Sequence, residues 1–384
     1  MIKREIEAVV RKYAAEYPSV TVMGPRQSGK STLVRAMFPK HAYANLEDRE
    51  TRELAQNDAR AFFSLYAPPV IIDEVQCVPD LLSQVQVMID EDRTACGRFI
   101  LTGSHQTALS SSVAQSLAGR TAIVELLPLS VRELTKADRR RSTDELLVRG
   151  FMPELVASAK DPTAYYRFYY RTFVERDVNS QVNVRHRAQF DKFMRLLAGR
   201  VGQLVNLSSL ACEVGVSSMT LEEWLSVLEA SFVVFRLRPY FANVSKRLVK
   251  TPKLYFCETG LVCYLLGIEA PEQLARDPLR GNVFENMVVM EMLKRQTNLG
   301  REASLNFLRT SSGFEIDLMM PDGADLCPVE IKSSMSYSSN LVAGLETYRQ
   351  TWDEKAKGML IYDGRKMSAR DQITCLNFRD LSLA

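Results

Sequence analysis

Residues Gly24-Pro25-Arg26-Gln27-Ser28-Gly29-Lys30-Ser31-Thr32 fit the spacing GxxxxGK[ST], and the chemistry served by that spacing is the binding of a polyphosphate. An apolar strand candidate, SVTVM, leads into them and a helical pattern, LVRAMF, follows, which is the context the motif requires. Gly24 and Gly29 let the backbone wrap closely around phosphate oxygens, and the amides at the helix start point at the anion. Lys30 is placed to reach the terminal phosphates of ATP and Ser31 to ligate Mg2+. A second strand candidate, PPVIIDEV, is apolar until it ends in Asp73 and Glu74, as expected of a parallel strand buried on both faces. Beside Mg-ATP, Asp73 would hold the metal directly or through water, and Glu74 would orient and deprotonate the attacking water. Without nucleotide the two acids would be a helix cap. A third strand, RFILTGS, brings Thr102 and Ser104 to the same edge, where a hydroxyl can bond the water or the γ-phosphate, or cap a turn.

A second constellation lies near the C-terminus in FEIDLMMPDGADLCPVEIKSS, which carries Asp317, Glu330 and Lys332 on two short apolar segments around a turn. Strand alternation puts Glu330 and Lys332 on one face, with Val329 and Ile331 on the other. Upstream, GNVFENMVVMEMLKR reads as a mostly buried helix with Glu285 near its start. The order of helix, three strands, helix and strand resembles the core of the restriction-endonuclease superfamily, and Asp317 with Glu330-Ile331-Lys332 resembles its D…ExK pattern. That resemblance implies a centre in which Asp317 and Glu330 share Mg2+, Glu285 assists from the helix, and Lys332 positions or activates hydroxide. An ordinary cross-strand ion pair between Asp317 and Lys332 accounts for the same pattern.

The elements that must position these residues occupy a chain of 384 residues, 46% hydrophobic, long enough for two or three cores. With 49 basic and 46 acidic residues the net charge is +3, so any nucleic-acid argument must be local. Seven cysteines without a CxxC pair and three distant histidines argue against a zinc site and for reduced thiols. The amphipathic start MIKREIEAVVRKY and the absence of a long apolar run lead to a cytoplasmic expectation. From Asp161 to Arg200 there are eight Lys/Arg against four Asp/Glu, within an aromatic segment, YYRFYYRTF, that could stack on bases or pack a domain junction. The stretch NLSSLACEVGVSSMTLEEWLSVLEA has the periodicity of helix, glycine turn, helix. A candidate strand pair follows, and residues 236–253 hold six Lys/Arg and no acid. Such a wing could contact DNA phosphates or pack on its neighbours.

Taken together, GPRQSGKST, IIDEVQ, ILTGS, LAGR and LPLSVREL resemble a prokaryotic family of AAA-type P-loop ATPases, over nearly the whole chain. The resemblance implies an α/β fold in three parts: an AAA-type domain over 1–150, a helical connector with a winged helix over 151–268, and a restriction-endonuclease-like domain over 269–384. It makes Arg120, in LAGR, the candidate arginine that senses or completes the ATP site, where a guanidinium would stabilise charge developing at the γ-phosphate; closing a helix C-terminus is the alternative. The expected function is an ATP-hydrolysing switch coupled to DNA binding or processing. The alternative is an ATP-regulated adaptor whose nuclease-like domain binds a protein partner and cuts nothing.

Overall fold

The computed structural model describes residues 2–104, 116–174, 187–240, 249–323, 325–370 and 372–383. Strands β1 (Ser19–Met23), β2 (Ala42–Asn45), β3 (Val70–Asp73), β4 (Phe99–Gly103) and β5 (Thr121–Glu125) form a parallel sheet in the order β2-β3-β4-β1-β5. β1, β3 and β4 are buried along their whole length, because both faces are covered. Val20, Val22, Ile71 and Ile100 pack with Ile6, Val10, Leu33 and Val34 from helices α1 (Glu7–Glu16) and α2 (Lys30–Met37) and the residue before α1. The alternate residues Met23, Val70, Ile72, Phe99 and Leu101 face the opposite layer, which includes α3 (Arg49–Asn57), α4 (Ala59–Leu65) and α5 (Leu81–Glu91). That two-residue period is what a doubly covered strand requires.

A helical stretch follows: α6 (Thr143–Arg149), α7 (Pro153–Ala157), α8 (Pro162–Phe173), α9 (Arg187–Ala198), α10 (Leu207–Val214) and α11 (Ser218–Ala230). In α8, Tyr165, Tyr166, Tyr169 and Phe173 are buried while Phe168 is 57% exposed, so the tyrosine stripe packs a junction and is not free to stack on bases. Gly215 ends α10 with φ of 87°, a left-handed position natural to glycine. Trp224 of α11 then packs edge-on against Phe190 of α9 at 5.3 Å.

Strands β6 (Val234–Pro239) and β7 (Lys253–Phe256) pair antiparallel. After α12 (Thr259–Leu266), α13 (Pro271–Leu274) and the long α14 (Arg280–Asn298) come β8 (Asn306–Arg309), β9 (Glu315–Asp322), β10 (Asp325–Lys332), α15 (Ala343–Thr351), β11 (Gly358–Tyr362), β12 (Met367–Arg370) and β13 (Ile373–Asn377). The hairpin does not stand alone as a wing: β6 pairs in parallel with β8, giving one sheet in the order β12-β13-β11-β10-β9-β8-β6-β7. α14 is buried on nearly all sides, because it packs on this sheet and on the N-terminal domain at once. No helix among the described residues is long and apolar enough to cross a membrane.

Candidate functional site

The loop after β1 is shaped by three left-handed residues, Gly24 (φ 153°), Gln27 (φ 62°) and Gly29 (φ 93°). A Cβ on Gly24 would lie 2.2 Å from the carbonyl oxygen of Leu126, so glycine is required there by packing as well as by dihedral. Lys30 is 4% exposed, and its Nζ donates to the carbonyls of Gly24 (3.0 Å) and Pro25 (2.9 Å), which holds the ammonium in the mouth of the loop. Ser28 is fully buried, and its hydroxyl has no hydrogen-bond partner among the described residues; a bound phosphate oxygen could satisfy it. Arg26 reaches outward to Glu47 (3.4 Å), and Thr32 lines the cleft at the start of α2.

The register of β1 and β3 around β4 brings the acids to this loop. Ser31 Oγ donates to Asp73 Oδ1 (3.0 Å), and Tyr43 OH donates to Asp73 Oδ2 (2.6 Å). The donor set suits Mg2+, which takes one or two protein oxygens and completes its shell with phosphates and water. Tyr43 itself is held well above the usual tyrosine range, by burial and then by its bond to Asp73. Glu74 sits in the left-handed region at φ 54°, a strained position for a non-glycine residue. Three contacts fix it: its amide donates to Thr102 Oγ1 (3.1 Å), and Ser104 Oγ (3.1 Å) and Gln76 Nε2 both donate to its Oε2.

Thr102 therefore departs from the catalytic role considered for it. Fully buried, its hydroxyl donates to Asp73 and accepts from the Glu74 amide, so it positions both acids and has no hydrogen left for water or phosphate. Arg120 departs further. It precedes β5, whose first residue pairs with Ser19 at the start of β1, whereas the phosphate loop leaves the other end of that strand, roughly 13 Å away along the strand. There it makes a two-point pair with Asp90, Nε to Oδ1 and Nη2 to Oδ2, both 2.9 Å. The structure does not bring Arg120 to the ATP site of its own chain.

Around the loop lies a cleft of about 420 Å³ whose walls the motifs do not announce: Ile2 and Arg4, Leu129, and Pro153 and Ala157 of α7. Arg4 is 5% exposed; it donates to the carbonyls of Ser28 (2.8 Å) and Leu127 (2.7 Å) and pairs with Glu133 (3.1 Å). Tyr165 of α8 donates to the Gln27 side chain at 2.5 Å. Nothing local in the sequence tells which loop Arg4 or Tyr165 will meet.

The cleft is also tied to α14. Lys294 of α14 donates to the Leu129 carbonyl (2.9 Å) and pairs with Glu291 (2.9 Å), whose Oε2 accepts from the Val131 amide (2.8 Å). Arg280 pairs with Asp144 at 2.7 Å, and Thr143 donates to Asp363 at 2.7 Å.

The C-terminal constellation assembles, with an unforeseen member. Lys332 Nζ lies 3.1 Å from Asp317 and 2.5 Å from Glu330; the Ile331 amide donates to Asp317 at 2.9 Å. Glu285 approaches from α14, but Lys253 stands between it and β9: its Nζ is 3.0 Å from Glu285, 2.6 Å from Glu315 and 4.0 Å from Asp317. Burial raises Glu330 and Glu285 above the usual carboxyl range; Asp317 lies below it, because Lys332 and Lys253 outweigh its burial. Among the described residues, no group of three or more His, Cys, Asp or Glu side chains is disposed to hold a metal ion. Glu285, Asp317 and Glu330 thus meet around ammonium groups, and as arranged they do not fit Mg2+.

Two of the six basic residues of 236–253, Arg236 and Lys253, are paired with acids. Arg236 pairs with Glu222 (2.7 Å) and Glu229, and Lys253 is 2% exposed. Lys246 and Arg247 lie outside the described residues, and among the described ones only Arg238 and Lys250 are exposed basic groups.

Residues 16–135 match the model of an AAA domain; residues 140–272 and 280–381 match two domains of unknown function, DUF8612 and DUF4143. The uncharacterized protein Rv2008c of Mycobacterium tuberculosis is 34% identical over 321 residues, covering 82% of this chain and 70% of that protein. An uncharacterized protein of Haemophilus influenzae is 24% identical over 333 residues, covering 77% and 79%. Among solved structures, the Walker-type ATPase paby2304 of Pyrococcus abyssi is similar at 15% identity and a TM-score of 0.45, covering 69% of this chain and 96% of that one.

Proposed function

The chain belongs to the family of the uncharacterized mycobacterial protein Rv2008c and carries an AAA-type, ATP-binding P-loop ATPase domain, and from that premise we propose that it is an ATP-hydrolysing switch whose nucleotide state is transmitted to the C-terminal domain. The observation that carries this reading is the Lys294 bond to Leu129, because Leu129 is at once a wall of the nucleotide cleft and the anchor of α14. Lys30 would bind the terminal phosphates, and Ser31 and Asp73 would hold Mg2+, whose charge would offset that of the phosphates. Glu74, fixed by Ser104 and Gln76, orients the water and accepts its proton. A ligand shifts such an equilibrium only through contacts that differ between the two states, and the γ-phosphate provides contacts that ADP lacks.

The output favoured by the pairing of Arg236 and Lys253 with acids and by the lysine-filled acidic cluster is a partner-binding role for a catalytically silent nuclease-like domain. DNA coupling has one observation of its own, the succession of α10, Gly215, α11 and the β6–β7 hairpin, an order used by winged helices. Hydrogen exchange with a non-hydrolysable ATP analogue and with ADP tests the switch: protection should differ between the two in segments 127–133 and 280–298. Identical protection removes it. Turnover measured with and without duplex and single-stranded DNA separates the outputs, since only the DNA reading expects stimulation.

A further inference from the structure

The nuclease-like centre is surrounded by enough negative charge to demand a cation. Glu285 comes from α14, Glu315 and Asp317 from β9, and Glu330 from β10, and Asp317 and Glu330 are each under a tenth exposed. Isolated carboxylates cannot stay ionised in such a setting; a metal, an ammonium or a proton must compensate them. Lys332 compensates one side, against Asp317 and Glu330. On the other side Lys253 Nζ meets Glu285 at 3.0 Å and Glu315 at 2.6 Å, with Asp317 4.0 Å away; Glu315 also pairs with Arg309.

We propose that Lys253 is the resident cation on the Glu285–Glu315 side of this centre, taking the charge-compensating place that a divalent ion would otherwise fill, and that the cluster consequently binds no metal there. A divalent ion requires carboxylate oxygens at about 2.0–2.6 Å. An ion held that closely by Glu285 or Asp317 would crowd the Lys253 ammonium, which is 3.0 Å from the one and 4.0 Å from the other, and cations that close repel strongly in a buried, low-dielectric setting.

Lys253 is not a long surface side chain that has wandered inward. Its backbone bridges to Leu204, and its strand is clamped by Asn286 of α14, whose side chain accepts from the Phe256 amide (2.7 Å) and donates to the Phe256 carbonyl (2.9 Å). Tyr255, on the same face of β7, donates to the Glu285 oxygen that also receives Lys253 (2.6 Å). Lys253 Nζ lies over the ring of Phe307, 5.7 Å from the centroid. The clamp, the tyrosine and the apolar floor fix the ammonium where it is, and they are supplied by the hairpin that joins the C-terminal sheet edgewise. The basic residue that charge counting assigns to a DNA-facing stretch thus completes the acidic cluster instead.

The test is Mn2+ binding to nucleotide-free protein, followed by the electron paramagnetic resonance of the free ion. Wild type should bind no Mn2+ whose binding is lost in Asp317→Asn; ion held at the phosphate loop is insensitive to that change and is subtracted. Lys253→Met should gain about one Mn2+ per chain, at least about a hundredfold tighter than any wild-type binding at the cluster, and lose it again when combined with Asp317→Asn. Should Lys253→Met fail to give a folded circular dichroism spectrum, Lys253→Gln keeps a hydrogen-bond donor beside Glu285 and makes the same comparison. Wild-type Mn2+ binding abolished by Asp317→Asn, or a folded Lys253 variant that gains none, overturns the proposal.

Discussion

Replacing Lys294 by Met removes the ammonium that joins the nucleotide domain to α14 while keeping most of its volume. Lys294 and Glu291 are 2% and 7% exposed and meet at 2.9 Å, so deletion of one partner leaves a buried carboxylate supported by the Val131 amide alone. It also strips the donor from the Leu129 carbonyl and the cation from above the Phe151 ring, 4.5 Å away. Breaking a buried pair from one side costs about 3–5 kcal/mol. Adding Glu291→Gln removes the stranded charge, and the double variant should recover at least about half of that loss. The pH dependence gives a second check. Burial raises the Glu291 carboxyl above its usual 4.5, and Lys294 opposes the rise, so without Lys294 it moves further up. A carboxyl raised in the folded state adds stability at low pH that is lost as pH rises through the folded pKa. The Lys294→Met deficit should therefore be full above the raised carboxyl pKa and narrow as pH falls through it. Urea unfolding at several pH values measures it; a variant within about 1 kcal/mol of wild type at neutral pH, or a deficit that widens on acidification, refutes the account of this contact.

Lys30→Ala should abolish ATP binding, whereas Glu74→Gln should bind ATP and hydrolyse it at least about a hundredfold more slowly; normal turnover in Glu74→Gln would remove its role in activating water. Ser104→Ala, acting through Glu74, should lower kcat about tenfold with little change in KM, and an equal rise in KM would place the hydroxyl on the nucleotide instead. Arg120→Ala should leave ATP binding and dilute-protein turnover within about twofold of wild type, because Asp90 holds the guanidinium at the far edge of the sheet; a tenfold loss at all concentrations contradicts that placement. If DNA binds, Arg238→Ala with Lys250→Ala should flatten the plot of log K against log salt by up to about two units, and an unchanged slope excludes both residues as phosphate contacts.

The phosphate loop and its acids were legible because their chemistry is written in contiguous residues. Gly24 and Gly29 carry the left-handed turns where the motif places them, and an apolar strand ending in Asp73 and Glu74 can present charge only at its carboxyl edge. Helix periodicity likewise marked Leu210, Leu221 and Trp224, all buried. The alternation that pairs Glu330 with Lys332 also followed from the strand period alone. Arg120 was not placed by such rules, since a motif fixes a residue's neighbours in sequence and not the sheet edge to which its strand begins. Charge counting over 236–253 did not foresee the pairing of Arg236 and Lys253, for a related reason. Net charge sums over a segment, whereas burial and partner are decided residue by residue: Arg236 folds back on α11, and Lys253 enters a cluster contributed by α14 and β9. Arg4 on the phosphate loop, Tyr165 on Gln27 and Lys294 on Leu129 are separated from their partners by between 24 and 165 positions. The sequence by itself determined the local conformations and the residue types that could act. Which of those residues meet was decided by the crossing of β6 onto β8 and by a helix buried against two domains, because contacts of that range depend on the path of the whole chain.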